Sequence, residues 1–331
     1  MVSFEQLNNK IKEQIPQIIE LFVEVYGEGY RDRIASRLNN TEFVFAGIKE
    51  PSSNEDFLLN SEYRASAKDY LSKSDIILAK ETYDKMLKDA LLGGGVTSGG
   101  AFVSAKKDDL KNISSVCLLG YFDELSDCVL FHELNHIVSS DIYQNASGFT
   151  SRSGLLRSSY VVDDNGNWKM AETEKEQEDV ETFESINEVF NDYLSLKVLK
   201  LAEAKGIKLG KAENAEATYA AAYPMLSVFI EYNMNMIVKA MLEGKTKDLN
   251  SYAGKENFIK LARATDELIV FEGEHADEIF KRMKYYEFDI QKLLTERLEN
   301  IPINLRSYAS MGKKICEIVD DIYAEHDNEL E

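Results

Sequence analysis

The five residues His132-Glu133-Leu134-Asn135-His136 constrain this chain more than any other stretch, because their chemistry requires a helix. On an α-helix residues i and i+4 share a face, so both imidazoles can reach one metal ion. Glu133 stays near that face and can take a proton from a metal-bound water. The chain has four histidines, and two of them fall here. The flanks read as helix from Leu125 to Val138. His132, Glu133 and His136 gather on one side, while Leu130, Phe131, Leu134, Ile137 and Val138 fall roughly opposite. A helix this apolar is expected to be buried, and buried imidazoles need partners. A metal would satisfy both. The same pattern also arises by chance on amphipathic helices, so it needs support from elsewhere in the chain.

That support comes from Ser185-Ile186-Asn187-Glu188-Val189-Phe190-Asn191-Asp192, inside a helical stretch from about Glu178 to Ala204. A catalytic zinc takes three protein ligands and keeps one position open, and two histidines with a glutamate are one such set. Glu184, Glu188 and Asp192 line one face of this helix, with Phe183, Ile186, Phe190 and Tyr193 on the other. The competing reading of such an acidic face is solvated surface.

The two motifs together, HELNH and INEVFND, resemble the gluzincin zinc metallopeptidases, the thermolysin-like family with a second-helix pattern N-E-x-x-x-D. By that resemblance His132, His136 and Glu188 would be the zinc ligands and Glu133 the general base. Asp192 would hydrogen-bond a ligand histidine, a contact that fixes the imidazole tautomer and raises its basicity. Glu184 competes as third ligand but lacks a matching aspartate. The resemblance covers about 70 residues. Between His136 and Glu188 lie 51 residues, more than in thermolysin. Ser147-Gly148-Phe149 followed by INE is also similar to uncharacterised bacterial gluzincins and to the lethal-factor and neurotoxin group. The insert carries Asn165-Gly166 between two β-prone runs, which predicts an ordered hairpin.

Composition sets the outer bounds. With 38 lysines and arginines against 58 aspartates and glutamates, the net charge of −20 opposes binding to nucleic-acid backbones and anionic membranes. It suits cationic substrates. The 331 residues can bury one large core or two smaller ones. Cys117, Cys128 and Cys316 form no paired spacing, which fits a reducing compartment. Cys128, four residues before His132, reads as a small buried residue and not a ligand. The first residues have neither a basic start nor a continuous apolar run. No segment reaches the length of a membrane span. Together these predict a cytoplasmic protein, with export independent of a signal left open.

Elsewhere, residues 4–26 read as an amphipathic helix and Thr41–Ile48 as a strand. Ser74 or Asp75 would cap a helix running to Leu92. Gly93 to Gly100 reads as a turn or lid edge, not a phosphate loop, because no G-K-[ST] follows. Ala101–Ser104 and Ile113–Phe122 read as strands. In gluzincins the strand before the zinc helix lines the cleft, so SSVCLLGYF is expected at a sheet edge, where it could pair with an extended peptide. After Lys205 the pattern is helical: Asn214–Glu243 with Pro224 as a break or restart, then Phe258–Ala264, His275–Tyr285, Phe288–Leu298 and Leu305–Ala324. Met225, Met234, Met236 and Met241 read as core filler.

The expected architecture is α+β and gluzincin-like: a small mixed sheet with zinc-binding helices in residues 1–205, then a helical half, 206–331, closing the cleft. The expected function is a zinc-dependent metallopeptidase acting on a peptide or protein substrate, with Glu133 as base. A donor for the tetrahedral oxyanion is also needed. His275, Tyr160, Tyr223 and Tyr308 are all candidates. The alternative is a non-catalytic helical interaction protein that binds a basic partner. Sequence leaves substrate, cleavage mode and oligomeric state open.

Overall fold

The computed structural model describes residues 4–47, 76–77, 95–97, 103–104, 115–121, 126–144, 148–162, 168–171, 173–210, 223–285 and 303–328. The chain is α+β: mostly helical, with small sheets. Two compact units emerge, one of residues 1–176 and 194–216, the other of 177–193 and 217–331.

In the first unit, helix α1 (Phe4–Tyr26) forms where the sequence predicts it. Ile11, Ile15, Ile18, Leu21 and Phe22 recur at helical spacing and are buried, which holds the helix despite Pro16 in its interior. Helix α2 (Arg31–Asn39) follows, then strand β1 (Thr41–Gly47). Short strands β2 (Ile76–Ile77), β3 (Gly95–Thr97) and β4 (Val103–Ser104) precede β5 (Ser115–Tyr121). The main sheet has the order β1-β5-β3. β1 runs parallel to β5, in register Thr41 to Ser115, and β3 runs antiparallel, with Val96 opposite Leu118.

This order corrects the expected edge strand. Its described part, Ser115–Tyr121, is the central strand of its sheet, and β1 and β3 are the edges among the described residues. An apolar run without alternation belongs between two neighbours, where both faces and both backbone edges are covered. Part of the glycine-rich segment read as a turn is therefore strand β3. Ile76–Ile77, expected just inside a helix capped by Ser74 or Asp75, is instead a strand paired with β4. β-branched isoleucines lose less side-chain freedom there. The remainder of that expected helix lies outside the described residues.

Helix α3 (Asp127–Ser139) carries the HELNH motif. It is followed by an antiparallel sheet in chain order: β6 (Ser140–Gln144), β7 (Gly148–Ser153), β8 (Leu156–Val162) and β9 (Trp168–Met170). β8 and β9 pair as the expected hairpin, Val162 opposite Trp168; Asn165-Gly166 itself lies outside the described residues. Gly148 is needed where β7 meets β8: a Cβ there would sit 1.9 Å from the Tyr160 carbonyl oxygen. Helix α4 (Glu174–Ala204) opens on a full capping box. Thr173 Oγ1 accepts from the Glu176 amide, and the Glu176 carboxylate accepts from the Thr173 amide. The Ser159 hydroxyl also donates to Glu176 at 2.7 Å, which ties the helix start to β8.

The second unit is helical. Pro224 lies in the first described turn of α5 (Tyr223–Tyr232), a place where its missing N–H costs nothing. α6 (Met234–Glu243) ends on Gly244 in the left-handed conformation (φ 67°), and α7 (Lys247–Ala253) is short. Phe258–Ala264 and His275–Tyr285 belong to one helix, α8 (Lys255–Tyr285), packed on α9 (Ile303–Asn328). The residues between those two patches continue the helix, with Thr265 and Glu272 buried on it. Met225 and Met241 are buried, while Met234 and Met236 are half-buried. Phe288–Leu298 lies outside the described residues. Among the described residues no helix is long and apolar enough to cross a membrane.

Candidate metal centre

Helix α3 is held at both ends and along one side. At its start Ser126 Oγ accepts from the Val129 amide at 3.3 Å. The Asp127 carboxylate accepts from the backbone amides of Leu209 and Gly210, at 3.3 and 2.6 Å. Burial pushes the Asp127 carboxyl up against those two hydrogen bonds. At its end, Arg33 of α2 donates from Nε to the Val138 carbonyl and from Nη2 to the Ser140 carbonyl, at 3.0 and 2.9 Å. Such donors satisfy the orphan carbonyls of a helix C-terminus.

Along its length Leu130, Phe131, Leu134, Ile137 and Val138 are buried, as their spacing predicts. Phe131 stacks on Phe22 of α1 at 6.5 Å between ring centroids. Tyr26, one turn further along α1, donates its hydroxyl to the Asn135 amide oxygen. Burial pushes the Tyr26 phenol well up, so it stays a donor at any physiological pH. Asn135, a variable position in the motif, was not singled out from sequence. Its burial could have been anticipated from the apolar flanks.

This clamping leaves His132 and His136 half-buried, with their Nε2 atoms 3.1 Å apart and the rings edge to face. Glu133 is only 5% exposed. Its charge helps raise the Cys117 thiol, after burial itself, which sets β5 behind the motif. Cys117, Cys128 and Cys316 are not disulfide-bonded, and Cys128 is half-buried.

On α4 the sequence left Glu184 and Glu188 in competition. Glu184 is exposed, Glu188 is half-buried and Asp192 is 2% exposed. The solvated-face reading therefore holds for Glu184 and fails for the other two. This stretch of helix is fixed by its own neighbours. Ser185 donates to Asp266 at 2.6 Å, Phe183 stacks on Phe258 at 5.6 Å, and the Tyr193 hydroxyl donates to Glu231. Asn187 and Asn191 are also buried, and the Asn187 amide donates to the Glu188 carboxylate at 3.5 Å.

His132, His136 and Glu188 each offer one ligand atom, and the three atoms lie within 4.8 Å of one another. Two nitrogens on one tetrahedral zinc stand about 3.3 Å apart, given a Zn–N length of about 2.0–2.1 Å. The observed 3.1 Å between imidazole nitrogens fits that edge. The donor set therefore suits a divalent metal, and it is not specific to zinc.

The four oxyanion candidates differ in setting. Tyr160 is 5% exposed on β8, and His275 is half-buried beside Phe271. Tyr308 is fully buried on α9, and its hydroxyl has no hydrogen-bond partner among the described residues. Tyr223 begins α5. No protein-family model, curated protein or solved structure matches the chain.

Proposed function

We propose that this protein is a zinc-dependent metallopeptidase of the gluzincin type, acting on a peptide or protein substrate. The observation that supports it most is the convergence of His132, His136 and Glu188 donor atoms within 4.8 Å. Two residues 52 positions apart in sequence, His136 and Glu188, have no local reason to meet. Zinc would supply Lewis acidity to a scissile carbonyl and make a water acidic near neutral pH.

The chain's own groups do the rest. Glu133, on the same helix as both histidines, accepts a proton and returns it to the leaving amine. Asn187 orients the Glu188 carboxylate. Asp192, buried one turn beyond Glu188, orients a ligand imidazole. β3, an edge strand among the described residues and packed on α3, would be placed to pair with an extended peptide.

The test joins metal content to turnover. One zinc per chain is expected, lost in His136→Ala and in Glu188→Ala. Glu133→Gln should keep the metal and lose about 10²–10⁴-fold in peptide hydrolysis, the usual share of acid–base catalysis. Stoichiometric zinc surviving both ligand substitutions overturns the site. Wild-type cleavage by Glu133→Gln overturns the mechanism.

A further inference from the structure

Away from the metal donors, the helical unit buries two polar groups whose hydrogen-bonding capacity is unmet among the described residues. They face each other between α8 and α9. These helices run antiparallel, and their polar ties give the register. Asn257, in the first turn of α8, donates to Glu325 near the end of α9 at 2.9 Å. Further along, Lys314 donates to Glu267 at 2.7 Å. Glu272 lies about one and a half turns beyond Glu267, and Tyr308 about one and a half turns before Lys314, so the two stand level. Glu272 is 8% exposed and Tyr308 is fully buried. The Glu272 charge acts on the Tyr308 phenol, second only to burial, and both push that phenol up. The Tyr308 hydroxyl has no hydrogen-bond partner.

The surroundings offer Glu272 no compensating charge. From α9 come Tyr308 and, further off, Lys314, which Glu267 already takes. From α4 comes Ser185, whose hydroxyl goes to Asp266, and Phe183, which stacks on Phe258. α7 leads into the opposite end of α8 through Gly254, and its Asp248 is paired with Lys239. On α8 itself His275, one turn after Glu272, packs on Phe271. Burial alone therefore acts on the Glu272 carboxyl and pushes it up to about 7, with no hydrogen bond or cation to offset it. A neutral carboxyl tolerates such a place, while a carboxylate without a donor or a cation does not. Tyr308 lies in the second described turn of α9, and helix ends open locally far more readily than helix middles.

We propose that Glu272 and Tyr308 form a pH-operated latch between α8 and α9, a device that goes beyond the metallopeptidase reading and uses none of its metal donors. With Glu272 protonated, the pair stays dry and the helices are closed. When Glu272 ionises, the first turns of α9 part from α8, and water reaches the carboxylate and the Tyr308 hydroxyl together. The Lys314–Glu267 and Asn257–Glu325 ties persist, so the opening is confined to one end of the helix pair. A carboxyl raised in the closed state holds the latch fully below its solvent-exposed pKa, about 4.3, and releases it as pH rises through about 7.

The test is amide hydrogen exchange of the full chain, read by mass spectrometry of its peptides and corrected for the pH dependence of the exchange chemistry. Between about pH 6 and about pH 8, protection in the first turns of α9 and around Glu272 should fall about tenfold. That is the change for one carboxyl that titrates at about 7 when closed and about 4.3 when open. Peptides at the Asn257–Glu325 end should show no such change. Glu272→Gln cannot ionise, so its protection at the start of α9 should not depend on pH. If that variant fails to fold, Glu272→Met replaces it, since its unbranched apolar side chain also cannot ionise, and the same result is expected. Tyr308→Phe leaves Glu272 in place and should keep the pH dependence. Constant protection in wild type across this range overturns the latch. So does an equal loss in Glu272→Gln or Glu272→Met, which would assign it to another group. A loss spread evenly over both ends of the helix pair overturns it as well.

Discussion

The Tyr26 hydroxyl donates to the Asn135 side-chain oxygen, so the last turn of α1 is hydrogen-bonded to the middle of the HELNH helix. Both residues are buried. Tyr26→Phe keeps the ring and its packing on Phe22 but leaves the Asn135 oxygen without this donor. Such a buried hydrogen bond contributes about 0.5–1.5 kcal/mol. The urea midpoint should fall accordingly at unchanged slope. A midpoint equal to wild type would mean that the bond contributes nothing.

Asp192 and Glu184 make a matched pair for the metal site. Asp192 is almost fully buried, one turn beyond Glu188, while Glu184 is exposed one turn before it. Asp192→Ala should weaken zinc binding by about 10–100-fold, the usual cost of losing a carboxylate that orients a ligand. Glu184→Ala should change nothing. Competition with a chromogenic chelator reads both, and the reverse order would make Glu184 the ligand.

Acid should loosen the end of α3. Burial would raise the Asp141 carboxyl, but the hydrogen bond from Arg152 and the charges of Arg33 and Arg152 outweigh it and hold it below its usual value. A carboxylate depressed in the fold contributes stability present above its unfolded pKa, about 3.9, and lost as pH falls through the folded value. Asp141→Asn should therefore be less stable than wild type at neutral pH. The gap should close below about pH 4. Thermal melts across pH 2–7, at roughly half-unit steps, test this, and a pH-independent gap would exclude charge as its cause.

Glu272 on α8 behaves in the opposite sense. It is 8% exposed, and burial pushes its carboxyl up to about 7. A carboxyl raised in the fold contributes stability that is complete below its unfolded pKa, about 4.3, and lost as pH rises through about 7. Glu272→Gln removes that loss. The variant should gain on wild type between about pH 5 and pH 8. Denaturant midpoints at those two values check it, and a constant difference would place Glu272 in contact with solvent.

What could be read from the chain follows the range of the signal. The helical period fixed α1, the apolar face of α3 and α4 from about Glu178 onward, since each depends on residues three or four apart. The pairing of β8 with β9 was legible in two β-prone runs flanking Asn165-Gly166. The five residues of HELNH likewise named their own helix and the side of it that carries both histidines.

Tertiary structure decided what depends on distant neighbours. β5 is central because β1 and β3 take its two edges, and no residue within SVCLLGY states how many neighbours it has. Glu184, Glu188 and Asp192 share one helical face and differ only in what covers them, so the choice of Glu188 rests on the donor atoms that surround it. Tyr26 and Asn135, 109 positions apart, meet because α1 and α3 bury facing apolar stripes. So do the three arginines at Asp141, which gather only once α2, β6 and β7 are brought together. Periodicity is a local property and survives in one dimension. Burial, pairing order and charge balance are sums over neighbours, and the fold supplies those neighbours.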